Sequence, residues 1–148
     1  MNLLFVCTGN TCRSPMAEGI MNAIAVQNGL DIRSESAGLF ADGTSGATGS
    51  AVEAVSKYGV DISSHVSQPI SPELIEKSDL ILTMTPAHRQ VLENLAAGKV
   101  FTLSEYAGME GDIEDPYGGE LSDYEKAAKQ IYDAVSRVAD RISRENND

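Results

Sequence analysis

Leu3-Leu4-Phe5-Val6-Cys7-Thr8-Gly9-Asn10-Thr11-Cys12-Arg13-Ser14-Pro15 joins an apolar run to a small polar loop and a helix start, with five residues between a nucleophile and a guanidinium. The run at 3–6 reads as a strand. After it the chain turns through Gly9, so that successive backbone N–H groups converge, and Ser14-Pro15 open a helix whose positive end faces the same point. A phosphate group placed there meets amide hydrogens, a helix end and the fork of Arg13, which grips two oxygens at once. Cys7 lies beneath it. The same field favours the thiolate, the form of sulfur that attacks phosphorus. The expected chemistry is a covalent phosphocysteine intermediate, with Arg13 and the loop amides stabilising the equatorial oxygens and hydrolysis in a second step.

Outward from this stretch, strand-like runs alternate with helical patterns to the end of the chain, which predicts βαβ units. The expected fold is α/β, three-layer αβα with a four-stranded parallel sheet of the flavodoxin-like or Rossmann-like kind. Strands are expected at 2–6, 32–37, 79–84 and 100–103. Helices are expected from Pro15 to Asn28 with a stop at Gly29, through Ala51, Val52 and Val55 to Gly59, from the cap Ser71-Pro72-Glu73, from Thr85-Pro86 to near Gly98, and from about Ser122 to Ser143. Phe40 to Ser50 holds little to bury and reads as a surface loop, and Glu145 to Asp148 as a polar tail. Right-handed crossovers put the carboxyl ends of the strands, Cys7 among them, along one edge.

A chain of 148 residues fits one domain, 1–148, expected to act as a monomer. Its net charge of −11, from 11 basic and 22 acidic side chains, argues against nucleic acid as partner, because phosphate backbones are repelled over the whole surface. No apolar stretch approaches the length that spans a bilayer, so no membrane is expected. The N-terminus enters a strand at once, without the basic region and apolar segment of a secretion signal. Two cysteines, one of which must stay free to react, suggest reduced thiols in a cytoplasm.

Transfer to sulfur leaves an anionic leaving group, so the chain needs a proton donor. Asp112, Glu114 and Asp115 follow the fourth strand, and Asp115-Pro116-Tyr117-Gly118-Gly119 is the best segment. Pro116 stiffens the backbone beside Asp115, the glycines let the loop approach the pocket, and Tyr117 can wall it.

Residues 7–15, with Asp115-Pro116-Tyr117 and Ser36-Ala37-Gly38, resemble the low-molecular-weight protein tyrosine phosphatases over essentially the full length. The resemblance implies a phosphoprotein phosphatase with Cys7 as nucleophile, Arg13 as transition-state binder and Asp115 as general acid, acting on phosphorylated proteins without metal or organic cofactor. Thr8, Gly9, Asn10, Thr11, Cys12 and Ser14, with Phe40 and Tyr117, are then the candidate substrate-binding positions. It also implies that Asn10, Ser14, Ser36 and His65 form a network that shapes the loop, with the Ser14 hydroxyl donating to the thiolate. Tyrosine-directed members usually carry Ile or Leu where this chain has Thr11, which resembles the bacterial protein-arginine phosphatase branch. Thr removes bulk from a slot for a phenyl ring and supplies a hydroxyl beside a planar guanidinium. Protein phosphoarginine is therefore the expected substrate and phosphotyrosine the alternative.

Plainer readings compete. Cys12 either packs as a buried thiol or traps an oxidised Cys7 as a disulfide. No second Cys pair or close His pair accompanies them for zinc. Phe40 reads as core or as the pocket mouth, in a stretch, Leu39 to Asp42, without the aromatic-rich wall of many tyrosine-directed relatives. Asp112 and Glu114 read as surface charges, His88 as part of a solvated helix face, and Tyr124 as core. An arsenate reductase of this fold needs further cysteines, and none follows Cys12. Cys7 and Asp115 together argue against a phosphate-binding regulator without turnover.

Overall fold

The apolar run forms strand β1 (Asn2–Cys7), whose side chains from Leu3 onward are shut from solvent because a strand pairs on each side and helices cover both faces. The computed structural model describes residues 1–96 and 98–146. Around β1 the chain lays down α1 (Arg13–Asn28), β2 (Arg33–Gly38), α2 (Gly49–Ser56), α3 (Pro72–Lys77), β3 (Leu80–Thr83), α4 (Pro86–Glu93), β4 (Val100–Thr102), α5 (Leu103–Tyr106) and α6 (Leu121–Asn146). The four strands run parallel in the order β2-β1-β3-β4. Leu3 and Phe5 point into a core shared with α1, α2 and α6, whereas Leu4 and Val6 point to the other face and pack with Leu74 of α3 and Leu92 of α4. Strand order reverses at β1, with β2 on one side and β3 on the other, so a crevice opens at the carboxyl end where Cys7 sits.

The expected architecture stands, and the element ends differ in ways that have local causes. Helix α1 starts at Arg13 rather than Pro15, because Cys12 already accepts the Met16 amide (3.3 Å). Strand β2 runs 33–38, not 32–37: Gly29 turns left-handed at φ 62°, Leu30 bonds back to Ala25, and Ile32 drops into the core before pairing begins at Arg33 opposite Asn2. Strand β3 is shorter than 79–84, although Asp79 and Met84 still donate their amides to Asn2 and Val6. Strand β4 stops at Thr102 because Thr102 and Glu105 form a reciprocal capping box that diverts Leu103 into α5, a helix the sequence did not announce.

Helix α2 begins at Gly49, inside the expected loop, since the Thr48 hydroxyl caps the Ala51 amide. Helix α4 ends at Glu93, short of Gly98, and Ala97 lies outside the described residues. The expected tail is partly helix: Arg141 pairs with Glu145 at 3.0 Å and carries α6 through Asn146, while residues 147–148 lie outside the described residues. Among the described residues no helix is long and apolar enough to cross a membrane.

Candidate active site

The loop between β1 and α1 folds around Asn10, which is wholly buried and takes a left-handed backbone at φ 57°. Asn is among the few non-glycine residues that tolerate this region, and the geometry turns its amide toward the Cys7 sulfur at 3.3 Å. Its side-chain amide donates to Ser14 Oγ (2.8 Å) and Ser36 Oγ (2.9 Å), its Oδ1 accepts the Gln68 amide (2.9 Å), and its carbonyl lies 2.8 Å from His65 Nε2. Every polar group of a buried residue is thereby matched.

These bonds continue beyond Asn10. Ser14 Oγ already accepts from Asn10, so its own hydrogen is free for the Cys7 sulfur 2.8 Å away. The Asn10 amide donates to Sγ, and the Ser14 hydroxyl is placed to donate to it as well. Ser36 in turn accepts from Asn10 and donates to Glu18 Oε1. Burial holds the Glu18 carboxyl above its usual range, against the pull of the Ser36 bond and of His65.

Above the sulfur is a cleft of about 300 Å³ lined by Cys7, Thr8, Gly9, Thr11, Cys12, Arg13, Phe40, Asp42, Ser45, Asp115 and Tyr117. Arg13 reaches it from the first turn of α1, buried, with Nη1 donating to the Ile113 carbonyl (2.9 Å) and Nη2 3.6 Å from Asp115 Oδ2. Asp115 is itself half exposed, its Oδ1 accepting the Tyr117 amide at 3.1 Å. Gly38 is required by the close passage of this loop. A Cβ there would stand 2.6 Å from the Thr8 carbonyl oxygen and 2.9 Å from the Asn10 amide nitrogen.

The end of β1 thus holds a cradle of amides, an arginine beside a carboxylate and a buried Asn-Ser-Ser network behind them. Residues 2–148 match the family model described as low molecular weight phosphotyrosine protein phosphatase. This chain belongs to that family. A protein-arginine-phosphatase of Bacillus subtilis (strain 168) is 40% identical over 98% of this chain and 99% of its own. A solved low molecular weight protein tyrosine phosphatase from T. tengcongensis is 43% identical, with a TM-score of 0.92 and coverage of 95% of this chain and 99% of that one. A solved mutant of the YwlE arginine phosphatase, described as carrying a phosphorylated active-site serine in place of cysteine, is 40% identical with a TM-score of 0.92, over 97% of this chain and 96% of that one. The chain is thus a low-molecular-weight protein phosphatase acting on phosphorylated proteins.

Of the sequence-derived positions, Cys7, Thr8, Gly9, Thr11, Cys12, Arg13, Asp115 and Tyr117 meet at the cleft, and Phe40 lies at its mouth, largely exposed, not in the core. Asn10 and Ser14 sit behind the wall, with Ser36 and His65 bonded to Asn10. Tyr124 is buried as expected of a core residue, and its hydroxyl lies 3.6 Å from Cys12 Sγ.

One expectation was wrong. His88 is buried, not on a solvated face, with Nε2 2.9 Å from Thr8 Oγ1. The signal was there: α4 starts at the carboxyl end of β3, the neighbour of β1, so its first turn had to lie beside the loop. Asp42 and Ser45 were also missed as lining residues. They lie in a glycine- and serine-rich loop with no periodicity to place them.

Proposed function

We propose that this phosphatase removes phosphate from phosphoarginine in proteins, through a phosphocysteine intermediate, as a monomer in a reducing cytoplasm. Thr11 carries the substrate assignment. It lines the cleft beside Arg13, and among the described residues its hydroxyl has only a long 3.8 Å contact to Cys12 Sγ, which leaves it available to a polar substrate group. The two named activities among the relatives, arginine and tyrosine dephosphorylation, occur at similar identity, so overall likeness does not choose between them.

In this reading Cys7 Sγ attacks phosphorus while the bond from phosphorus to the guanidine nitrogen breaks, and Asp115 gives that nitrogen its proton. Asp115 carries that proton on one oxygen and accepts a hydrogen bond from the substrate guanidinium on the other, across the cleft mouth. Arg13 and the loop amides hold the three equatorial oxygens. Water then attacks the phosphocysteine, Asp115 takes the proton, and the thiolate leaves. The phosphorylated serine in the relative's mutant fits a nucleophile at the position of Cys7. The apolar faces of Phe40 and Tyr117 at the mouth favour phosphotyrosine as the second reading.

The deciding experiment compares kcat/KM on phosphoarginine and phosphotyrosine peptides at neutral pH, with Thr11→Ile beside wild type. Wild type is expected to favour phosphoarginine and Thr11→Ile to favour phosphotyrosine; equal loss on both removes Thr11 as the selector. Cys7→Ser is expected to lower kcat by at least about 10⁴-fold while still binding vanadate, and retained turnover would remove the covalent route.

A further inference from the structure

His88 is bonded at both ring nitrogens, and the direction of each bond is set by where the ring proton sits. Thr85 is the N-cap of α4, where its Oγ1 accepts the His88 backbone amide. The same hydroxyl lies 3.2 Å from His88 Nδ1, and its own hydrogen can be donated there. With Nδ1 accepting, the ring proton sits on Nε2 and is donated to Thr8 Oγ1 at 2.9 Å. In that tautomer Thr8 Oγ1 accepts from His88. Its own hydrogen has no protein partner among the described residues, and the side chain lines the cleft above Cys7.

We propose that His88 is a positioning residue of the phosphatase reaction: it fixes the Thr8 hydroxyl so that its hydrogen donates to a phosphoryl oxygen held over Cys7. Thr8 becomes a further donor to the transferred group, and Thr85, His88 and Thr8 form a relay of orientation from the cap of α4 into the cleft. The relay needs a neutral ring. Burial and then the charge of Arg13 on α1 lower the His88 pKa, with Asp115 from the acid loop opposing. Strands β3 and β4, which α4 packs on, carry no titratable side chain, and Arg89 on α4 itself is paired with Glu93 and Glu105.

The proposal rests on the cleft being the site of reaction and is independent of the arginine preference, so it is tested on whichever phosphopeptide wild type hydrolyses. A wild type inactive on both would overturn the functional reading itself, a result separable from every ratio below. Thr8→Val is expected to lower kcat/KM by about ten- to a hundredfold, chiefly in kcat, and His88→Leu to do the same. The double variant is expected to be no worse than either single one, because both remove one hydrogen bond. His88→Gln, whose amide can donate to Thr8, is expected to lose less than His88→Leu. A Thr8→Val within twofold of wild type, losses that multiply, or equal losses for Gln and Leu would each overturn the proposal. Long-range proton–nitrogen NMR on the wild-type protein tests it without any mutation. The proton is expected on Nε2 of His88, and a proton on Nδ1 would overturn the relay.

Discussion

The two halves of this site are built to opposite standards. The cradle, residues 7–14, is locked from behind by Asn10, Ser14, Ser36, His65 and Gln68, and its glycine neighbour Gly38 passes so close that no Cβ fits. The acid arm around Asp115 is half exposed and rests on few bonds, chiefly the Ile113 carbonyl taken by Arg13, the Tyr117 amide on Asp115 and the turn from Gly119 to Pro116. The difference matches the two tasks that the proposed reaction sets. Donors that stabilise charge on three phosphoryl oxygens act best when held in place before the charge develops, since no reorganisation is then needed. A proton donor must instead meet a leaving group that belongs to a large protein, so it stands at an open mouth.

If that division is right, the arm can be disabled without cost to the fold, and the cradle cannot. Asp115→Asn is expected to lower kcat by about 10²- to 10⁴-fold while leaving stability within about 0.5 kcal/mol, as measured by kinetics and urea unfolding. A large loss of stability would show the arm to be structural. Gly38→Ala is expected to cost activity by about a hundredfold and stability by about 1–3 kcal/mol together, because the new methyl displaces the backbone of Thr8 and Asn10 rather than a flexible side chain. Full activity in Gly38→Ala would show the cradle to be far more pliable than its packing implies.

The same contrast explains what could be read from the sequence. The cradle was legible because it is contiguous: strand, loop and helix start follow one another in residues 2–15, and each has a local signature. The network behind it was reached only through resemblance, since Ser36 and His65 come from distant segments and a lone Ser or His carries no marker of its partner. His88 was misjudged because the surroundings of α4 were read from the helix alone; it is the strand order β2-β1-β3-β4 that sets its first turn against Thr8. Element ends slipped by one or two residues wherever a cap, such as that of Thr48 or Thr102, overrode propensity. Glu18 went unnoticed although it stands one helical turn after Ser14 and so on the same face of α1.

Glu18 also tests how far the cradle's rigidity extends. Its carboxyl is held above the ordinary range first by burial, with Glu35 adding repulsion, while the Ser36 hydroxyl and His65 draw it down. A raised acid binds its proton more tightly in the folded chain than in the unfolded one. Its folded state is therefore favoured most below the usual Glu value of 4.5, and stability is lost as pH rises from there through the raised value. Glu18→Gln carries no such charge, yet its amide oxygen can still accept from Ser36. The variant is expected to match wild type near pH 4 and to melt higher at neutral pH, by at most about 3 °C. A variant that melts lower at neutral pH would mean that the ionised carboxylate, through Ser36 and His65, is itself part of what holds Asn10 and the loop in place.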